Sequence, residues 1–157
     1  MSLNEIINFA QLSDKLLTSG QPDEADFGEI AKAGVELVIN LATSTSDLAL
    51  TDEPGIVRAL GMEHLHIPVD WEHPTRANLG EFMDAMDANQ DRKILVHCAL
   101  NYRVSCFTAL WKVLRLGEKP DEAFQHMHEI WEPKEYPAWE DFIRQTLDEA
   151  GFAKQSN

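Results

Sequence analysis

Apolar and polar positions alternate along the chain in two patterns, one typical of short buried strands and one typical of helices. Short runs dominated by aliphatic and β-branched residues predict strands that are covered on both faces. Pro68 ends the third of these runs, because proline cannot donate to a strand ladder. The predicted strands lie at the start of LLTSGQP (residues 16–22), where the strand ends in a Ser-Gly turn, and in Val35–Leu41, Met62–Val69 and Lys93–Cys98.

Helical spacing of apolar residues fills the intervals between the predicted strands. Gly34 closes the first helix, and Pro54 and Gly55 could break the second. The last residues, AKQSN, are predicted to form a loose tail. The predicted helices span residues 22–34, 47–60, 74–89, 102–116, 120–131 and 136–150.

This alternation of strands and helices predicts an α/β fold. We expect three layers, with a mostly parallel central sheet of four to five strands flanked by helices. The 157 residues suffice for one domain with a substantial core, so a single domain over residues 1–157 is predicted.

The charge of the chain narrows the range of partners. With 27 acidic and 13 basic side chains, the formal net charge is −14, which repels phosphate backbones and argues against nucleic acid. No apolar run approaches the roughly 18 residues of a membrane helix, and MSLNEIINFA lacks the parts of a secretory signal. We therefore expect a cytoplasmic protein with no membrane partner, and the sequence leaves its oligomeric state open.

The segment KILVHCALNYRVSCF, residues 93–107, places a cysteine at the end of a strand and an arginine at the start of a helix. Ligands of open α/β sheets bind at the carboxyl ends of strands. The helix after Cys98 would direct its positive end at the loop, which favours anion binding and a nucleophilic thiolate. Arg103 adds a planar cation suited to phosphate oxygens, and His97 could hydrogen-bond to the loop backbone. This chemistry requires no cofactor and no metal.

These residues resemble the cysteine-dependent tyrosine and dual-specificity phosphatases. The match consists of Val96–Cys98, Arg103 and Ser105, and small bacterial phosphatase-like domains share LLTSGQP, VINL and HIPV as well. The resemblance extends to about Gly117. It implies a dual-specificity-phosphatase-like fold, a Cys98 nucleophile that attacks phosphorus, and a cysteinyl-phosphate that water hydrolyses.

The same resemblance implies that the partner is a phosphorylated substrate, or inorganic phosphate or sulfate. The residues expected to contact this ligand belong to the loop and its flanks: His97, Ala99, Leu100, Asn101, Tyr102 and Ser105.

The loop departs from the family's pattern of five residues between cysteine and arginine, because only four separate Cys98 from Arg103. Either the loop is one residue shorter and Val104 takes the hydroxyl position, or Ser105 keeps its usual distance and the arginine is displaced. One step along a helix is about 100° of rotation. Asn101 stands where the family has a glycine, and asparagine adopts positive φ more readily than most residues.

A loop of this length also resembles that of the rhodanese-type sulfurtransferases, whose cysteine carries a persulfide. Two alternatives to hydrolysis therefore stay open: persulfide chemistry at Cys98, and an inactive domain that binds phosphate without turnover. The upstream segments favour the phosphatases, and the loop length favours the sulfurtransferases. All three functions require a Cys98 thiol that is not packed away from solvent.

A phosphatase of this kind needs a general acid, which in the family is an aspartate about thirty residues before the cysteine. Asp70 lies 28 residues before Cys98, just beyond a strand end. Glu72 and His73 lie on the same loop and could replace it.

Several other residues have both a functional and a structural interpretation. Ser105 could hydrogen-bond to the sulfur, or to a carbonyl one turn earlier in the helix. Cys106 is expected to be a buried helix thiol and not a disulfide partner of Cys98. His64 and His66 share one side of a strand, but without a third ligand we expect packing and no metal site. Tyr102 could narrow the pocket or stack on an aryl substrate.

Overall fold

The computed structural model describes residues 2–152, in which a five-stranded sheet lies between two layers of helices. The strands are β1 (Ala10–Ser13), β2 (Leu16–Ser19), β3 (Leu37–Asn40), β4 (Glu63–His66) and β5 (Ile94–His97). Their order across the sheet is β1-β2-β5-β3-β4; β1 is antiparallel to β2, and the other neighbours are parallel. The predicted α/β sheet is therefore confirmed, whereas the predicted tail at residues 153–157 lies outside the described residues.

The helices follow the strands in the order that the sequence predicted. In residues 2–152 they are α1 (Glu24–Lys32), α2 (Glu53–Ala59), α3 (Arg76–Ala88), α4 (Tyr102–Leu114), α5 (Pro120–Ala123), α6 (Gln125–Ile130) and α7 (Pro137–Glu149). None of these helices is long and apolar enough to cross a bilayer.

Three elements differ most from the prediction. Helix α2 starts at residue 53 instead of 47, because the Asp52 side chain caps it and Pro54 fits the first turn, where no N–H is needed. The helix predicted over 120–131 is two short helices that meet at Phe124. Strand β1 was not predicted, because its four edge residues are only half buried and lack a continuous apolar run.

Alternate residues of the inner strands pack against different helical layers. Leu17, Val38 and Leu95 join a cluster with residues of α1 and α2. Ile94 and Val96 join the larger cluster with residues of α3, α4 and α7. Since β5 is the central strand, its carboxyl end and the loop that follows lie between the two layers.

Candidate active site

The loop after β5 ends in a left-handed turn that starts α4. Asn101, the N-cap, has φ 70° and ψ 8°, the conformation expected for an asparagine in place of the family's glycine. The backbone N–H groups of residues 99–104 donate to no backbone carbonyl within residues 2–152, and Ser105 is the first to do so, to Asn101. Unpaired N–H groups at a helix N-terminus are donors for an anion.

A pocket of about 260 Å³ opens beside this loop. Its lining combines the thiol, the guanidinium and two loop residues with three aromatic rings: Cys98, Arg103, Ala99, Leu100, Trp71, Tyr102 and Tyr136. Cys98 and Arg103 thus line one pocket. Other predicted contact residues, His97, Asn101 and Ser105, support the loop and do not line the pocket.

Cys98 lines this pocket, yet the residue is 0% exposed. Cys98 therefore borders the pocket but is itself covered by its neighbours. Complete burial departs from the expectation of a thiol within reach of solvent. That Cys98 is among the residues lining the pocket is the observation that supports access of a ligand to it.

Arg103 is directed inward and is 7% exposed. Its Nη1 donates to the carbonyl oxygen of Val69 at 3.0 Å, which ties α4 to the segment that follows β4. Because Val69 immediately precedes the candidate general acid, this hydrogen bond joins the loop of Asp70 to the guanidinium.

The loop is held from outside by two segments near the N-terminus. The N–H of Gln21 donates to the carbonyl of Ala99 at 2.9 Å. Asn8 donates from Nδ2 to the carbonyl of Leu100 at 2.8 Å, and Asn101 donates from Nδ2 to the carbonyl of Asn8 at 2.8 Å. Gly20 permits this approach, since a Cβ there would lie 2.5 Å from the carbonyl oxygen of Ala99.

A buried polar cluster, composed of Gln21, Glu53, His64 and His97, lies on the side of the sheet that faces α1 and α2. Oε2 of Glu53 accepts from Nε2 of His97 at 2.6 Å and from Nε2 of His64 at 2.8 Å, and Oε1 accepts from Gln21 at 2.9 Å. Nδ1 of His97 lies 3.2 Å from the carbonyl oxygen of Cys98. Glu53 is 4% exposed and His97 is 0% exposed, so the cluster is shielded from water.

The carboxylate of Glu53 is stabilised in its charged form. Burial by itself would raise its pKa, but the hydrogen bonds from His64 and His97 outweigh that effect and hold the pKa far below its ordinary value. Glu53 is therefore an anion at neutral pH in spite of its burial.

An aromatic wall, composed of Trp71, Tyr102, Trp131 and Tyr136, borders the pocket. Tyr102 stacks on Trp131 with ring centroids 5.1 Å apart and an interplanar angle of 3°, and Trp71 packs edge-on against Tyr136 at 5.2 Å. The rings contact one another, so they form a continuous surface and not an open cage.

Ser105 adopts the structural alternative that the sequence left open. Its Oγ donates to the carbonyl of Tyr102 at 3.0 Å and accepts from Nε1 of Trp131 at 2.9 Å. The hydroxyl thus anchors the aromatic wall, and neither of its two hydrogen bonds is to the sulfur of Cys98.

Asp70 lies on an exposed loop and does not line the pocket. Its Oδ1 accepts from the N–H of Glu72 at 2.9 Å, and Oδ2 lies 3.7 Å from Nδ1 of His73. The three candidate acids therefore share one small turn, which begins one residue after the carbonyl bound by Arg103.

The remaining thiol and imidazoles have structural roles. Cys106 is buried within α4, and burial raises the pKa of its thiol above the ordinary value. Nε2 of His66 donates to the carbonyl of Ala42 at 2.6 Å. Within residues 2–152 no three His, Cys, Asp or Glu side chains are grouped so that they could hold a metal ion.

Comparison with known proteins relates this arrangement to a family. The family model of the polymorphic toxin system DSP-PTPase phosphatase, Tc-R-P, matches residues 12–111, which include the cysteine loop and the polar cluster. The chain belongs to this family. The resemblance inferred from the sequence is thereby confirmed, and the chain is a phosphatase-family domain.

Solved structures share the fold over nearly the whole chain. A Shewanella putrefaciens CN-32 protein, named as a phosphatase of the DUF442 group, is 37% identical with a TM-score of 0.85, over 95% of this chain and 97% of its own. P. aeruginosa TpbA in complex with pTyr is 15% identical with a TM-score of 0.74, over 96% of this chain and 90% of its own. The second likeness concerns the fold alone.

A relative of known sequence is much longer than this chain. The beta-lactamase hydrolase-like protein of Xylella fastidiosa is 27% identical over 130 residues, which are 78% of this chain and 29% of that protein. The chain therefore spans less than a third of the length of this relative.

Sequence reasoning missed three residues that shape the site: Asn8, Gln21 and Glu53. Gln21 belongs to the SGQP turn, in which the sequence indicated only the end of the first predicted strand. Glu53 is one of 27 acidic residues, and its position before Pro54 indicates a helix start and nothing more. No local signal separates it from a solvated acid.

Proposed function

We propose that this chain hydrolyses a phosphomonoester through a cysteinyl-phosphate on Cys98. The observation that carries the proposal is the meeting of Cys98 and Arg103 in one pocket at a loop whose N–H groups, residues 99–104, are unpaired in the backbone. Such a loop offers amide donors and a fixed cation to the three non-bridging oxygens of a phosphoryl group. These contacts strengthen as charge develops on the oxygens in the transition state.

The reaction has two displacements at phosphorus. In the first, the thiolate of Cys98 forms a bond to phosphorus while the ester P–O bond breaks, and an acid protonates the departing oxygen to release the alcohol or phenol. In the second, water attacks phosphorus, the P–S bond breaks and inorganic phosphate leaves. The group that gave up its proton in the first step takes one from the water in the second.

Asp70 is the proposed proton donor. The hydrogen bond from Arg103 to Val69 fixes the start of its loop against the guanidinium, which supports its closeness to the phosphoryl site. The side chain is exposed and caps its own turn, so the mechanism requires this turn to move toward the pocket when substrate binds.

The aromatic wall favours an aryl leaving group. A phenyl ring attached to the bound phosphate would meet Trp71, Tyr102 and Tyr136, which line the same pocket as Cys98. Ring–ring contacts of this kind contribute about 0.5–1.5 kcal/mol beyond area burial. Aryl phosphates, phosphotyrosine among them, are therefore the proposed substrates.

The decisive experiment compares wild type with Cys98→Ser in the hydrolysis of p-nitrophenyl phosphate between pH 5 and 8. We expect turnover to fall by at least about 10³-fold, since removal of a nucleophile leaves only the binding contribution. Acid quenching during turnover should trap a phosphate adduct on Cys98, detectable by mass spectrometry. Cys106→Ala is the matched control and should remain active. Equal rates in wild type and Cys98→Ser would overturn the proposal.

Two other functions each rest on one observation. Complete burial of Cys98 favours an inactive domain that binds phosphate, for which phosphate binding without turnover is the expected result. The loop of four residues between Cys98 and Arg103 favours persulfide chemistry, for which thiosulfate should add one sulfur to Cys98. Calorimetry with phosphate and mass spectrometry after thiosulfate treatment distinguish both from hydrolysis.

A further inference from the structure

Asn8 contacts the Cys98 loop from a part of the chain that the family model does not match. It lies before residues 12–111, which contain the whole loop. Nδ2 of Asn8 donates to the carbonyl oxygen of Leu100 at 2.8 Å, and the carbonyl oxygen of Asn8 accepts from Nδ2 of Asn101 at 2.8 Å. The N-terminal segment and the loop are therefore joined in both directions.

Asn8 and Asn101 also share an uncommon backbone conformation. Within residues 2–152 they are the two non-glycine residues with positive φ, at 48° and 70°. This region is unfavourable for most residues with a side chain, and it persists where the surrounding contacts require it, often at functional sites. Two such residues in direct contact beside a pocket therefore indicate that their hydrogen bonds serve more than the packing of a surface loop.

The hydrogen bond from Asn8 fixes the direction of the peptide group between Leu100 and Asn101. A peptide group is planar and trans, so its C=O and its N–H point in opposite directions. Since the Leu100 carbonyl points out to Asn8, the N–H of Asn101 is turned to the opposite side, into the loop. In the same way, the hydrogen bond from Gln21 to the Ala99 carbonyl turns the N–H of Leu100 inward.

The N–H of Asn101 is a buried donor without a backbone acceptor. Asn101 is 0% exposed, and in the part of the chain that the structure describes its N–H donates to no carbonyl. A buried donor of this kind requires an explanation. An oxyanion in the pocket that Cys98 and Arg103 line is an acceptor of the right chemistry. Because the loop is one residue shorter than the family's pattern, it has one amide fewer, and the direction of each remaining N–H matters more.

We propose that Asn8 is a positioning residue of the anion-binding loop: by holding the Leu100 carbonyl outward, its side-chain amide directs the N–H of Asn101 at a phosphoryl oxygen. The inference rests on the proposed function for the nature of the anion, and it concerns the binding of that anion and not the proton transfers. A side chain from outside residues 12–111 thus completes the set of inward N–H groups in a shortened loop.

The first test follows the N–H groups of the loop one by one. In ¹H–¹⁵N NMR spectra of the wild-type protein titrated with inorganic phosphate, the signals of Leu100 and Asn101 should both move downfield. In Asn8→Gly the shift of Asn101 should be lost, whereas that of Leu100 should persist, because its peptide group is held by the backbone N–H of Gln21. Glycine adopts a φ of 48° readily, so this substitution removes the amide without straining the turn.

Two results of the NMR titration would overturn the inference. One is a wild-type Asn101 signal that does not respond to phosphate, which decides the question even if a variant fails to fold. The other is an Asn8→Gly protein in which the Asn101 and Leu100 shifts are both kept or both lost, because a general loss of loop structure affects the two alike. Asn8→Asp keeps the shape of the side chain but cannot donate, and it should also lose the Asn101 shift.

The second test measures affinity. Calorimetry with inorganic phosphate should give a Kd about two- to tenfold higher in Asn8→Gly than in the wild type, the range expected for one hydrogen bond. Asn4→Gly is the matched control, because Asn4 is exposed in the short 3₁₀ helix Leu3–Glu5 of the same segment, and its Kd should equal that of the wild type. Equal losses in the two variants would mean that the segment as a whole supports the loop, and the role of the Asn8 amide would be refuted.

Turnover separates this inference from the proposed function. In Asn8→Gly, the inhibition constant of phosphate should rise, and kcat/KM for p-nitrophenyl phosphate should fall by at least the same factor, because amide contacts strengthen in the transition state. A wild-type protein that binds phosphate without hydrolysing an ester would refute the proposed function and leave both binding tests of Asn8 in force. An active wild type together with unchanged phosphate inhibition in Asn8→Gly would overturn the inference alone.

Discussion

The two sides of the Cys98 loop are built from different kinds of interaction. On the side of α1 and α2, the polar cluster is joined by directional hydrogen bonds of 2.6–2.9 Å around one carboxylate. On the other side, the aromatic wall is joined by ring contacts, with centroids 5.1 Å apart for Tyr102 and Trp131. Directional bonds between buried charged groups tolerate little displacement, whereas stacked rings can slide at small cost.

The two sides also differ in how many of their residues the family model matches. All four residues of the polar cluster lie within residues 12–111, which the family model matches, whereas Trp131 and Tyr136 of the wall lie beyond it. The family match therefore covers the whole cluster but only part of the wall. We expect changes to the cluster to affect mainly stability, and changes to the wall to affect mainly the binding of an aryl ligand.

The largest change in activity is expected for a substitution in the loop that follows Val69, on the same side as the aromatic wall. Asp70→Asn should lower kcat for an alkyl phosphate by about 10²- to 10⁴-fold, the usual range for general acid catalysis. The loss should be much smaller for p-nitrophenyl phosphate, whose leaving group departs without a proton. Steady-state kinetics with both substrates measure this contrast.

Glu72→Gln serves as the control for Asp70→Asn, because it changes a carboxyl group of the same turn. If the two variants lose activity equally, or if Asp70→Asn affects both substrates alike, Asp70 is not the proton donor.

The next largest effect tests the cluster as a stabilising unit. Glu53→Ala removes one partner from a buried ionic network and should cost about 3–5 kcal/mol in the free energy of unfolding at pH 7. Since hydrogen bonds hold the pKa of Glu53 below its ordinary value of 4.5, its contribution is present above that pH and is lost as the pH falls through the folded-state value. Urea unfolding at pH 7 and pH 3 should therefore show a smaller loss at pH 3.

Glu63→Ala is the exposed counterpart and should cost at most about 1 kcal/mol, because its ion pair with Arg92 is at the surface. A loss at Glu53 that is equally small, or that grows toward pH 3, would contradict a buried and ionised carboxylate.

A smaller change in stability is expected for a substitution where the SGQP turn contacts the Cys98 loop. Gly20→Ala would bring a Cβ to 2.5 Å from the carbonyl of Ala99, a clash with backbone that should cost about 1–3 kcal/mol. Gly28→Ala is the matched control: a Cβ there meets nothing within 4 Å, and it lies within α1, so it should gain about 0.5–1 kcal/mol. Thermal unfolding of both variants measures the difference, and a destabilised Gly28→Ala with an unchanged Gly20→Ala would contradict it.

The smallest change is expected for substrate binding when a residue of the aromatic wall is replaced. Tyr102→Leu should raise KM for an aryl phosphate by about two- to tenfold, since a ring contact contributes about 0.5–1.5 kcal/mol. Inhibition by inorganic phosphate should stay the same, because phosphate makes no ring contact. Tyr102→Phe keeps the ring and should resemble the wild type. If phosphate inhibition weakens as much as aryl phosphate binding, the wall supports the loop and does not select the substrate.

The features of the loop that the sequence indicated depend on short-range relations. Cys98 and Arg103 lie five positions apart on one strand end and one helix start, and the left-handed turn at Asn101 follows from the properties of that residue. The parts that were missed depend on contacts between distant positions. Glu53 and His97 are 44 residues apart, and Asn101 and Asn8 are 93 apart.

Hydrophobic periodicity and the residues around the cysteine by themselves determined the α/β layers and the loop between β5 and α4, because both arise from neighbours in the chain. Only the tertiary structure decided that Glu53 is a buried anion, that Ser105 anchors Trp131, and that Cys98 is fully buried. These outcomes depend on which segments pack together, since the same acid on an open surface would stay solvated and unpaired.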